Sequence, residues 1–120
     1  MKNKRKFGSM GEQLAVDFLK KEGYKICEVN WYCGHKEIDI IAETKEYLVI
    51  IEVKTRTSNP VSDITDLISK KKINLLIDAA NSYIEMKEID LETRFDLIYI
   101  EIADKEYSLE HYMDAFGLSF

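Results

Sequence analysis

The chain has 120 residues, 46% of them hydrophobic, one proline and a formal net charge of −5. That length suits one domain, 1–120, with a real core, and the acidic balance argues against an indiscriminate nucleic-acid binder, which would be basic overall. No apolar run approaches a membrane span and the basic start leads into no apolar signal core, so a cytoplasmic protein with no membrane partner is expected.

Met1 to Phe7 reads as a flexible basic arm. Ser9-Met10-Gly11-Glu12 then opens a helix with a capping-box pattern, and Gly11, Leu14, Ala15, Phe18, Leu19 and Glu22 trace one face up to Gly23. Glu12 has two readings: its carboxylate returns to the Ser9 backbone amide, or it leans over the sheet toward other acidic groups. Tyr24 to Val29 predicts the first strand, and Asn30 to His35 a turn or loop, with Trp31 and Tyr32 covering the core or stacking on a base. Cys27 and Cys33 make no disulfide framework, and with His35 and His111 they match no standard zinc spacing.

Lys36 to Ala42 and Tyr47 to Arg56 are β-branched and apolar enough for neighbouring strands, yet charges are set into both. The break from Thr44 to Tyr47 suits a four-residue hairpin loop, and the simplest register then sets Asp39 opposite Glu52 and Glu37 opposite Lys54, with all four side chains on one face. Directly opposite residues have Cβ atoms about 5 Å apart. Two carboxylates held that way in an apolar sheet repel each other and are poorly solvated. A divalent cation removes the problem, and carboxylate and backbone-carbonyl oxygens suit a hard one such as Mg²⁺. Lys54 would hold a positive charge beside the reacting group. The same short strings recur at Glu43-Thr44-Lys45, Glu85-Met86-Lys87 and Glu88-Ile89-Asp90, but there they lie in stretches that read as solvated turns or helix ends.

After Arg56 comes a loop, with Ser62 or Asp63 capping a short helical lead-in. A stronger helix follows with Ile73, Leu76, Ile77, Ala80, Tyr83 and Ile84 on its buried stripe. Lys70, Lys71 and Lys72 near its start oppose the helix dipole, so either the helix begins earlier, near Asp63, or the lysines face something anionic such as a phosphate. Arg94 to Ile102 predicts a largely buried strand in which Arg94 and Asp96 pair with each other or with loop backbone. Tyr107 to Tyr112 adds an edge strand and Met113 to Phe120 packs as a tail. No glycine-rich phosphate loop is present, so no nucleotide cofactor is expected, and serine or cysteine nucleophile schemes lack a base.

The order helix, strand, carboxylate hairpin, helix, strand resembles the PD-(D/E)xK nuclease superfamily. More closely, the chain resembles the YraN-like family of predicted endonucleases, whose core is similar to Holliday-junction resolvases. The matching residues are Gly8, Gly11-Glu12, Ala15, Leu19, Gly23-Tyr24, Asn30, Glu37-Ile38-Asp39, Glu52-Val53-Lys54-Thr55-Arg56, Lys72, Ala79-Ala80, Tyr83, Arg94-Phe95-Asp96 and Asp114-Ala115-Phe116. The resemblance implies a single-domain α/β restriction-endonuclease-like fold, a central mixed β-sheet flanked by helices in α-β-β-β-α-β order. It implies Asp39 and Glu52 as ligands of Mg²⁺ or Mn²⁺ with the Val53 carbonyl, Lys54 as the catalytic lysine and Glu12 as a further acidic member, with Glu37 as an accessory. Lys36 departs from the family's usual glycine at that position and could alter access or charge near the site.

The expected function is metal-dependent hydrolysis of DNA phosphodiesters, branched or structured DNA included, with Arg56, Lys70, Lys71 and Lys72 on phosphates and a homodimer as the analogue of resolvases. The alternative is a non-catalytic DNA-binding or assembly module that keeps the fold and those cations.

Overall fold

The computed structural model describes residues 2–57 and 68–117, with residues 2–9 described by backbone alone. Its elements are α1 (Lys2–Lys21), β1 (Lys25–Cys33), β2 (Lys36–Glu43), β3 (Tyr47–Arg56), α2 (Lys70–Lys87), β4 (Glu92–Ala103) and β5 (Glu106–Tyr112). The strands form one mixed sheet in the order β1-β2-β3-β4-β5, antiparallel except for the β3/β4 pair. Parallel neighbours need a crossover, and the segment carrying α2 supplies it. No helix among the described residues is long and apolar enough to cross a membrane.

Two apolar layers sandwich the sheet. Ala15, Val16 and Leu19 of α1 pack with Ile40, Ala42, Val49, Ile51, Ile98 and Ile100, while Ile73, Leu76, Ala79, Ala80 and Tyr83 of α2 pack with Ile38, Ile41, Leu48, Ile50, Leu97 and Tyr99. Coverage on both faces explains why β2, β3 and β4 read as near-continuous apolar runs rather than alternating ones.

Three boundaries differ from the sequence expectation. The α1 backbone is helical from Lys2, so Ser9 lies inside the helix rather than at its cap, and residues 2–7 of the stretch expected as a flexible arm belong to α1. The capping-box reading of Glu12 falls with it. The first strand runs on through Asn30-Trp31-Tyr32-Cys33, because Asn30 adopts the left-handed conformation (φ 53°) within the strand and the turn needs only Gly34 and His35. Finally, α2 begins at Lys70, where the Ser69 hydroxyl accepts the Lys72 N–H at 3.1 Å. The lead-in expected around Ser62 and Asp63 lies outside the described residues.

Asp96, fully buried on β4, ties the far side of the sheet together. Arg94 donates to both its oxygens at 2.9 and 2.8 Å, the Asp114 N–H donates at 2.9 Å, and His111 Nε2 on β5 lies at 2.7 Å. Arg94 also donates to the Tyr24 hydroxyl at 2.7 Å, and the Phe18 and Tyr24 rings meet the His111 ring edge-on. Burial alone would raise the Asp96 pKa, but the hydrogen bonds from His111, Arg94 and Asp114 outweigh it and hold the carboxyl below its usual range. The predicted Arg94–Asp96 pair is therefore present.

Candidate metal centre

The β2/β3 ladder pairs Glu43 with Leu48 through Ile40 with Ile51. One step further in that register Asp39 meets Glu52, the pairing expected from the sequence. Here the Asp39 side chain replaces a backbone carbonyl, its Oδ2 accepting the Val53 N–H at 2.8 Å. A ladder bond satisfied by a carboxylate lets the two strands part without leaving a buried amide unpaired.

Alternation also breaks at this point. Ile38 packs in the α2 layer and Ile40 in the α1 layer although they are two residues apart. A strand of period two would put them on the same face, so β2 carries an irregularity at Asp39, beside left-handed Asn30 in the β1/β2 register. The expectation that Glu37, Asp39, Glu52 and Lys54 share one face is thereby corrected. Beyond the irregularity Glu37 joins Glu12 of α1, while Lys36 meets Asp78 of α2 at 3.9 Å. On β3, Lys54 stays with Glu52 and Lys72 of α2. Asp39 stands where the two groups meet.

Glu52 is 3% exposed. Its Oε2 takes the Lys54 ammonium at 3.2 Å and the Lys72 ammonium at 4.0 Å, while its Oε1 is buried with no hydrogen-bond partner among the described residues. A buried carboxylate oxygen left without a donor is costly and uncommon. Burial first, then repulsion from Glu52, push Asp39 up to about 8, against the pull of the Val53 N–H. A proton retained on Asp39 can be donated to Glu52, which is how the pair relieves itself when nothing else neutralises it.

The third acidic contribution comes from α1. A Cβ at Gly11 would collide with Thr55 Oγ1 on β3, so only glycine lets the helix approach this closely. The next residue, Glu12, is thereby brought to the sheet, where Asn30 Nδ2 donates to its Oε1 at 3.0 Å. Burial raises the Glu12 pKa; the Asn30 hydrogen bond opposes this, and the charges of Glu37 and Glu52 add to it. One carboxylate oxygen each from Glu12, Glu37 and Asp39 lie within 4.8 Å of one another. An oxygen-only donor set, adjoining a buried carboxylate oxygen without a donor, fits a hard dication of the Mg²⁺ or Mn²⁺ kind.

The structure thus brings Glu12, Glu37, Asp39, Glu52, Val53, Lys54 and Lys72 together. Lys70, Lys71 and Arg56 stay on the exposed surface, and Arg56 Nη1 donates to the Thr55 carbonyl at 3.1 Å. Of the two readings for the lysine cluster, Lys72 meets an anion supplied by the chain itself. Gly11 and Asn30 escaped the sequence reading as site-forming residues. Their signals were a glycine on the inner helical face and an asparagine in a β-rich stretch, the residue type most tolerant of a left-handed backbone after glycine.

Residues 11–100, from the close-approach glycine to the end of the buried part of β4, match the model of Uncharacterised protein family UPF0102. A UPF0102 protein of Flavobacterium psychrophilum is 47% identical over 109 residues, 91% of this chain and 92% of the relative. Another from Flavobacterium johnsoniae is 42% identical over 97% of this chain and 98% of its own length, and one from Phocaeicola vulgatus 37% identical over 97% and 96%. With a family match spanning the helix, the carboxylate hairpin and β4, and relatives aligned nearly end to end, the chain belongs to the UPF0102, or YraN, family.

Proposed function

We propose that this chain is a divalent-metal-dependent nuclease that hydrolyses DNA phosphodiester bonds, branched or otherwise structured DNA included. The observation that carries the reading is Glu52: a buried carboxylate with one oxygen held by lysines and the other with no donor but a proton kept on Asp39, whose ionisation the fold opposes. Such an arrangement is unfavourable for stability alone and suits a site completed by a cation.

Asp39, Glu52 and the Val53 carbonyl would hold Mg²⁺ or Mn²⁺, with Glu12 and Glu37 adjoining from the α1 side. When bound, the metal supplies Lewis-acid polarisation of a phosphoryl oxygen and a water of lowered pKa. The chain's own part is electrostatic. Asp39 would release its proton to solvent when a cation takes its place, and Lys54, already 3.2 Å from Glu52, would present an ammonium where negative charge develops on the scissile phosphate. Asn30 fixes the Glu12 carboxylate through its amide, so that the acidic wall on the α1 side is pre-oriented. Lys70, Lys71 and Arg56 offer exposed cations to flanking phosphates, a contribution that weakens as salt rises.

The test is incubation of the chain with linear, nicked, flapped and four-way DNA in Mg²⁺, Mn²⁺ or Ca²⁺, beside the Asp39→Asn and Glu52→Gln variants. Cleavage by the parent chain in Mg²⁺ or Mn²⁺, lost in both variants, is expected. Equal cleavage by parent and variants would reject the assignment of Asp39 and Glu52, and salt-sensitive binding with no cleavage of any substrate would assign the protein to the non-catalytic DNA-binding alternative.

A further inference from the structure

A groove of about 620 Å³ runs between α1 and β1, lined by Glu12, Gln13, Val16 and Lys20 on the helix and by Tyr24, Ile26, Val29 and Asn30 on the opposite wall. Its near end is the metal centre itself, because Glu12 and Asn30 belong to both. Its far end is Lys20, eight residues along the helix and therefore about 12 Å away. Between them the wall is largely apolar, and Val29 leaves 43% of its surface exposed there.

We propose that this groove takes an unpaired nucleotide of the DNA strand whose backbone crosses the carboxylates, so that the enzyme acts where a strand leaves the duplex. This rests on the hydrolytic reading and names its substrate class. A volume of this order matches a molecule of nucleotide size and is far too small for a duplex. The two sides of the centre also differ in kind. On the α2 side Lys70, Lys71 and Lys72 crowd one helix start, cations suited to a phosphate backbone and blind to bases. On the α1/β1 side, Lys20 is the one cation among the described residues that line the groove, and an apolar wall spaces it from the carboxylates.

That wall suits the face of a base taken out of its stack, with Lys20 for the next phosphates. The Asn30 amide donates to Glu12, and its side-chain carbonyl has no partner among the described residues, so it is free to accept from a base edge. Gln13, also in the lining, donates to Asp17 at 2.9 Å. The Tyr24 hydroxyl is already engaged by Arg94, so the Tyr24 side chain serves as wall rather than reader.

The experiment compares a blunt duplex with the same duplex carrying a five-nucleotide unpaired tail, by fluorescence anisotropy in Ca²⁺ to hold off cleavage. The full chain, Val29→Trp and Lys20→Glu are measured, with thermal melting as the folding control. Val29 is exposed, so a tryptophan there fills the groove without entering the core. The parent chain is expected to prefer the tailed DNA by about tenfold, the order of one stacked base. Each variant should lose most of that preference and keep its blunt-duplex affinity. Equal affinity of the parent chain for both DNAs, or an undiminished preference in the variants, overturns the proposal. Tail preference that follows the groove without any Mg²⁺-dependent cleavage would sink the hydrolytic reading and leave the groove standing; cleavage with no groove dependence would do the reverse.

Discussion

Asp96 and Glu52 are both buried carboxylates on adjacent strands of one sheet, and they are completed in opposite ways. Asp96 receives a bidentate guanidinium, a backbone amide and a histidine nitrogen, and its charge is held below the usual pKa range. Glu52 has lysines at one oxygen, none at the other, and an acidic neighbour that keeps its proton up to about 8. The chain has every means of neutralising a buried acid, since it does so fully on the neighbouring strand. The second is left incomplete, which is the contrast on which the proposed cation site rests.

The largest expected effect breaks the completed cluster. Asp96→Ala leaves the Arg94 guanidinium, largely buried, without its anion and frees β5 from β4 at His111, so the folding free energy should fall by about 3–5 kcal/mol in urea titration. A loss below about 1 kcal/mol would show that Asp96 is not the counter-charge of that cluster. Mg²⁺ has no part in this loss and should restore none of it.

Next in size is the contact that brings the third acidic group to the open site. Gly11→Ala drives a methyl group into Thr55 Oγ1, so α1 must lift from β3. A cost of about 1–3 kcal/mol is expected, with weaker Mg²⁺ binding by calorimetry because Glu12 moves with the helix. Thr55→Ala in the same chain removes the colliding oxygen and should recover most of both losses. If Thr55→Ala recovers neither, the helix is not set by this contact.

Asp39→Asn should act in the opposite sense to Asp96→Ala. Asparagine keeps an oxygen for the Val53 N–H and offers Glu52 a donor, so the metal-free protein should gain about 1–2 kcal/mol while its stabilisation by Mg²⁺ disappears. The two acids also give opposite pH slopes. Asp39 is raised in the fold, so the stability it contributes is present below 3.8 and lost as pH rises toward about 8. Asp96 is lowered, so its stability is present above 3.8 and lost as pH falls through its folded value. Thermal melts of the metal-free chain from pH 5 to 9 should therefore decline in the parent and flatten in Asp39→Asn. A parent curve flat over that range would contradict the raised pKa.

What the sequence made legible was local. Register in the β2/β3 hairpin follows from apolar strands joined by a four-residue break, since a slip by one residue would turn the buried set outward. The Arg94–Asp96 pair was equally readable, being two residues apart on one strand. Its other partners were not, because His111 and Tyr24 reach Asp96 and Arg94 through sheet order and helix placement rather than through spacing. The site's division between the two faces was hidden for a similar reason: it depends on the irregularity at Asp39 and the left-handed Asn30, and strand periodicity assumes neither. Ser9 misled because a capping-box pattern within a longer helix has the same letters as one at its start.

The smallest expected effect concerns Lys36, the cation at the start of β2 beside the acidic centre. A positive charge there could serve Glu37 or Asp39 and so complete the open site as Arg94 completes Asp96. The β2 irregularity sends it the other way: Lys36 Nζ lies 3.9 Å from Asp78 on α2, a partner whose side chain is 64% exposed. An ion pair that long and that wet contributes little. Lys36→Ala should therefore change stability by less than about 0.5 kcal/mol and leave the Mg²⁺ affinity unaltered within twofold. A clear rise in Mg²⁺ affinity on removing Lys36 would mean that its charge does compete for the carboxylates, and that the centre is less open than the Glu52 oxygen indicates.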